Sequence, residues 1–258
     1  LISGSNAAYD RFQGDAGFDT VLGSAGDDAI RVNYFSGAST VERIDGGLGV
    51  NIVAGTQYND TIDLSGTELA NIANIDGGAG NDVITGSAGN DIIIGGAGSD
   101  VLAGDAGDDT FMIGGSDAAY DRFQGGTGYD TIQGGDSGDV IRVNYFTGAS
   151  TVEKIDGGLG INMVAGTQYN DTIDLSVTEL VNIANIDGGI GNDVITGSAG
   201  NDVIIGGAGS DVLAGGAGDD TFLINGVESS YDRFQGDDGL DAVLGSDGDD
   251  TIRVNYFT

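Results

Sequence analysis

The 258-residue chain contains no cysteine, histidine, proline or tryptophan. Without cysteine there is no disulfide framework and no thiolate metal site. Without histidine the usual base of a nucleophilic triad is missing, as is a preferred zinc ligand. Bases are scarce too: eight Lys and Arg face 41 Asp and Glu, a formal net charge of −33. No basic stripe is there to meet nucleic-acid phosphates or an anionic bilayer. No apolar run reaches the roughly 18 residues of a membrane span, so membrane insertion is not expected. The opening LISGSNAAYD lacks the charged and apolar regions of a signal peptide. It reads as a start in mid-repeat, so missing targeting signals carry little weight.

What is abundant is glycine, at 50 positions, and acid. Glycine does not fall at every third position, which excludes a collagen helix. A compact chain with this charge repels itself and needs counter-ions, most simply divalent metal.

Two periods are nested in the chain. YDRFQG begins at Tyr9, Tyr120 and Tyr231, and VNYF at Val32, Val143 and Val254, both with one constant offset. Most positions are identical at that 111-residue offset, so the chain holds a partial unit (1–76), a complete one (77–187) and a second partial one (188–258). These are expected to form one continuous spiral. The short period is nine, with the form Gly-x-x-Gly-x-Asp-x-apolar-x and eighteen copies. Four run unbroken from Gly77 to Met112 and four from Gly188 to Leu223; pairs occupy 14–31, 46–63, 125–142, 157–174 and 236–253. Inserts at 32–45, 64–76, 113–124, 143–156, 175–187 and 224–235 separate the blocks.

Each nonapeptide offers six turn-like residues and then three strand-like ones, with an apolar eighth position such as Ile84, Ile93, Leu102 or Phe111. Glycine at this density disfavours helix. Such short strands are stable only when stacked on copies of themselves. The pattern predicts an all-β parallel solenoid in which two nonapeptides make one coil and the eighth-position side chains meet inside. Coils then lie about 4.8 Å apart.

Glycines at positions 1, 2 and 4 let the loop take φ > 0, so that carbonyl oxygens converge near the carboxylate at position 6. With an 18-residue coil, the loop at Gly77 lies beside that at Gly95, and Gly86 beside Gly104. About six hard oxygen donors suit Ca²⁺ better than the tighter octahedron of Mg²⁺. On the order of 10–16 such ions would bring roughly +20 to +32 of charge. The candidate ligands are Asp19, Asp28, Asp60, Asp82, Asp91, Asp100, Asp109 and Asp130, then Asp139, Asp171, Asp193, Asp202, Asp211, Asp220, Asp241 and Asp250.

GGAGNDVIT and GGAGSDVLA resemble the RTX (repeats-in-toxin) nonapeptide, whose repeats wind a calcium-binding β-helix. The resemblance covers nearly all of the chain outside the inserts. It implies a parallel β-roll with Ca²⁺ in the edge loops, calcium-dependent folding outside the cell, and export by a one-step (type I) system of Gram-negative bacteria. It further implies metal contacts from the sixth-position Asp and from alternate carbonyls of positions 1 to 4, as in Gly77, Gly78, Ala79, Gly80 and Gly95, Gly96, Ala97, Gly98. Departures stand at Asn51 and Asn162, which replace the Asp, and at Tyr58, Tyr169 and Ser137, which replace the fourth Gly. Weak or vacant sites are expected near them.

The eight bases, Arg11, Arg31, Arg43, Arg122, Arg142, Lys154, Arg233 and Arg253, all lie in or beside inserts. Either they replace metal where the loop ladder is interrupted, or they are solvated charges of little energetic weight. The aromatics of YDRF and VNYF are expected to plug the inserts onto the coil interior. Outward Ile92, Ile94, Met112, Val203, Ile205 and Leu223 reflect strand propensity, or a patch for lateral association. Gly135-Asp136-Ser137-Gly138 mimics a serine-protease motif but has no histidine partner, and the carboxylates are duplicated where an active site is singular. No enzyme activity is expected. Glycosylation at the sequons of Asn59 and Asn170 is not expected inside metal loops.

Three roles fit. The first is a rigid, calcium-stabilised stalk of a large secreted or surface protein, an adhesin or matrix component. The second is a self-assembling filament or surface-layer subunit, joined laterally or end to end with copies of itself. The third is the export and folding module of a secreted enzyme or toxin. Tandem 111-residue copies favour the stalk, because each copy adds length.

Overall fold

The computed structural model describes residues 9–113, 119–224, 230–245 and 252–257. Their contacts separate two compact units, one of residues 9–113 with 123–131, the other of 119–122 with 132–257. Each is an all-parallel β-solenoid, and the only helical elements among the described residues are the 3-10 turns Gly37–Ser39 and Gly148–Ser150.

The first unit stacks three sheets. One runs Thr20–Leu22, Arg43–Asp45, Glu68–Ala70; another Ala29–Arg31, Ile52–Thr56, Asn74–Gly78, Ile92–Ile94, Thr110–Met112; the third Tyr34–Phe35, Thr61–Asp63, Val83–Thr85, Val101–Ala106, Arg122–Thr127. The second unit repeats the scheme one long period later, as in Val194–Thr196 beside Val212–Ala217.

The 18-residue, two-strand coil holds where nonapeptides are unbroken: Val83 pairs with Val101, and Ile92 with Thr110. It does not hold at the inserts. There Thr20 pairs with Arg43 and Arg43 with Glu68, so the coils lengthen and carry three strands each. The insert after Arg31 supplies the strands Tyr34–Phe35 and Arg43–Asp45, joined through a 3-10 turn with a capping box at Ser36. The inserts are therefore degenerate rungs of the same spiral. VNYF and YDRF keep the polar-x-apolar spacing of Asp-x-apolar, and that spacing is what a rung needs.

Apolar side chains form one internal column per sheet. Phe35 stacks on Ile62, Ile62 on Ile84 and Ile84 on Leu102, and all are buried. Each such side chain contributes about 1.5–3 kcal/mol by leaving water. The aromatics divide by position. Phe123 and Phe234 are buried plugs, packed edge-on against Phe111 and Phe222 at 5.5 and 5.4 Å, whereas Tyr34, Tyr145 and Tyr231 face solvent.

Candidate metal centre

The loops stack as regularly as the strands. Ala79 bridges to Ala97: the Ala97 N–H donates to the Gly78 carbonyl (2.9 Å), and the Gly80 N–H to that of Ala97 (2.8 Å). Stacking this close requires glycine. Gly78 has φ +94, and a Cβ there would run into the Thr56 carbonyl of the preceding coil. Gly95 and Gly96 take the same places one coil on, and Gly98 (φ +129) follows Gly80 (φ +120).

The sixth-position carboxylates form ladders down each edge. The Asp60 N–H donates to Oδ1 of Asp82 (2.7 Å), and the Asp82 N–H to Oδ1 of Asp100 (2.8 Å). The other edge runs from Asp91 to Asp109 to Asp130. In the second unit, Asp171 leads to Asp193, Asp211 and Asp232, and Asp202 to Asp220 and Asp241. One carboxylate oxygen is thus satisfied by protein. The second is not: Oδ2 of Asp82, Asp109, Asp193, Asp211 and Asp220 is buried with no hydrogen-bond partner.

These oxygens point at other acceptors. Oδ2 of Asp82 and the Gly95 carbonyl oxygen lie 2.6 and 2.5 Å from the point where a Cβ on Gly77 would stand. The Gly188 cradle, between Asp193 and Gly206, repeats this at 2.7 and 2.5 Å. Converging acceptors with no donor cost several kcal/mol unless a cation joins them. Among the described residues no three acidic side chains gather in one group, so an ion here draws much of its shell from main-chain carbonyls. Small space and hard oxygens are the donor set of Ca²⁺. The residues present fit that ion, which Asp82 and Gly95, or Asp193 and Gly206, would hold.

At two rungs asparagine stands in place of the aspartate. Oδ1 of Asn51 keeps the ladder bond from the Asp28 N–H (2.9 Å), while Nδ2 donates to the Asn71 carbonyl (3.1 Å). Asn162 does the same with Asp139 and Asn182. An N–H stands where two oxygens face each other elsewhere.

Among the bases, Arg31 and Arg142 donate to the loop carbonyls of Gly55 and Gly166 (3.3 and 3.4 Å). Arg43 and Lys154 instead pair with Asp45 and Asp156, both at 2.9 Å. Arg122 is exposed. Asp19, whose N–H donates to Oε2 of Glu42 (2.7 Å), heads a third, short ladder. Asp250 lies outside the described residues.

Two sets of ladder residues escaped the sequence pattern. Asp232 accepts a ladder bond from Asp211 (3.0 Å) although it belongs to YDRF; the Asp-x-Phe spacing there was the available signal. Position 5, read as variable, forms a second ladder: the Asn81 N–H donates to Oδ1 of Asn59 (2.9 Å) and the Ser99 N–H to Oδ1 of Asn81 (3.1 Å). Its signal is the recurrent Asn, Ser or Asp before the sixth-position Asp.

Burial, with repulsion from Asp100, Asp60 and Asp76, pushes the Asp82 carboxyl up to about 7 in the metal-free loops. Burial likewise raises Asp109, Asp193, Asp211 and Asp220 to about 6. A folded-state pKa above the unfolded value stabilises the fold below the unfolded pKa, and that stability is lost as pH rises through the folded one. In chelator, strand content followed by circular dichroism should therefore rise as pH falls from 8 through the window of 7 to 4. Protons also compete with metal, so the calcium midpoint should rise over the same descent.

A parallel β-solenoid with buried, metal-ready carboxylates in its edge loops defines a calcium-binding repeat protein. The family model for the RTX calcium-binding nonapeptide repeat matches residues 10–32, 45–66, 76–111, 121–144, 156–175, 187–222 and 229–254. The chain belongs to that family. Comparison with curated proteins gives no match.

Proposed function

We propose that this chain is a calcium-stiffened structural segment of a large secreted or cell-surface protein, of the adhesin or matrix kind, exported unfolded by a one-step route of a Gram-negative bacterium. The observation that carries the reading is the near-identical 111-residue copy, rung for rung, of a calcium-binding repeat. Catalysis gains nothing from copying such a unit, and a spacer gains length. Chains of one, two and four units should lengthen in calcium in proportion to copy number, by electron microscopy or small-angle scattering. Particles that grow in width instead of length would overturn the spacer role.

A second reading, lateral self-association, is favoured by exposed valines in register: Val83 beside Val101, and Val194 beside Val212. Sedimentation in calcium separates single particles from polymers.

A further inference from the structure

The loops are of two kinds. Oδ2 of Asp91 accepts the Ser87 amide N–H (2.6 Å) and the Ser87 hydroxyl (2.9 Å). Ser198 binds Asp202 in the same way (2.6 and 2.9 Å), and Thr56 and Thr167 tie Asp60 and Asp171 through amide and hydroxyl. The Ser24 and Gly135 amides close on Asp28 and Asp139, both at 2.6 Å. In the GG loops position 2 is left-handed, as at Gly78, Gly96, Gly189 and Gly207. Its amide does not reach the carboxylate, and there Oδ2 of Asp82, Asp193 and Asp211 is buried and unpartnered.

What sorts the kinds is place in the ladder. Asp28 and Asp139 precede the first strands of their sheets. The rung before Asp91 follows Ala73, and the rung before Asp60 follows Asn33, neither with a glycine loop. Gly135 shows that place outranks residue type: it is glycine, yet as a first loop it turns its amide inward. A left-handed position 2 packs onto the preceding loop, as Gly78 does onto Thr56 and Gly216 onto Ser198. A first loop has no such neighbour. On its open side the Gly55 carbonyl receives Arg31 instead. The short ladder that Asp19 heads does not follow this rule: Asp15, at its position 2, is left-handed (φ 71), and Oδ2 of Asp19 is buried without a partner.

We propose that in the ladders headed by Asp28, Asp60, Asp91, Asp139, Asp171 and Asp202 the first interval is closed by the protein itself, through the position-2 amide and, where there is one, its hydroxyl, and that calcium is held only in intervals that follow. This rests on the calcium reading above and adds which aspartates take no part in it. Ser87, Thr56 and their counterparts are then positioning residues that end a ladder, much as a side chain ends a helix.

The test counts ions. Calcium bound per chain is measured by equilibrium dialysis and atomic absorption for the parent, for D91N/D202N and for D109N/D220N. Asparagine is the residue that the chain itself carries at Asn51, in a folded rung. D91N/D202N should keep the parent's calcium, and D109N/D220N should lose one ion per substituted loop. Should the second double variant not fold by circular dichroism, the single variants D109N and D220N carry the same comparison. Equal loss from both pairs, or loss from neither, overturns the capped interval while leaving calcium binding intact. A parent that binds no calcium overturns the reading beneath it.

Discussion

In chelator at pH 7.5 the strand signal of this chain should collapse to that of a disordered polypeptide. Calcium at about 10⁻⁴–10⁻³ M, the range of external modules, should restore it. The effect is large because the opposing terms are. The buried carboxylates titrate at about 6 to 7 in the metal-free loops, so they are mostly ionised at pH 7.5. Each then faces a carbonyl oxygen with no donor between them, inside a chain of net charge −33. Strands of three residues supply too little on their own to offset this. Sodium chloride at matched ionic strength screens long-range repulsion but cannot bridge two buried oxygens, so it should not substitute. A strand-rich spectrum in excess chelator at this pH would contradict the account.

A methyl group placed in the cradle should be nearly as disruptive. In Gly77→Ala the new Cβ would stand 2.5 Å from the Gly95 oxygen and 2.6 Å from Oδ2 of Asp82. Overpacking of this sort costs about 1–3 kcal/mol before any metal is considered, and here it also fills the space the ion needs. The calcium midpoint should rise several-fold, with one ion fewer bound. Gly66→Ala is the control, because a Cβ there meets nothing within 4 Å. A Gly77→Ala chain that titrates like Gly66→Ala would show the cradle to be a coincidence of packing.

The spiral was legible because its constraints are periodic. An apolar residue at position 8 must enter the core on every rung, as Ile84, Ile93 and Leu102 do, and the 18-residue coil follows from nine. The inserts were not legible as rungs. Tyr34–Phe35 and Glu68–Ala70 are strands of two and three residues without the glycine loop that marks the other rungs, and their coils lengthen to three strands. Asp232 was hidden for the same reason, in a stretch without the glycine signature.

The candidate ligands were legible as a class but not as individuals. Asp91 and Asp82 stand in GSAGND and GGAGND, which differ by one residue at position 2. One carboxylate is satisfied by its own loop and the other is not. The difference comes from what lies beneath each loop in the stack, which linear spacing does not record. At Asn51 and Asn162 the sequence showed a lost charge; the structure adds that the carboxamide brings its own N–H to the carbonyl that a carboxylate can only repel.

The most direct measurement is an anomalous difference map from crystals grown in abundant Ca²⁺. Density should appear between Oδ2 of Asp82 and the Gly95 carbonyl, and again between Asp193 and Gly206. A map with no metal at those points, or with a lysine or arginine head group in its place, contradicts the claim that shared ions hold the loops together.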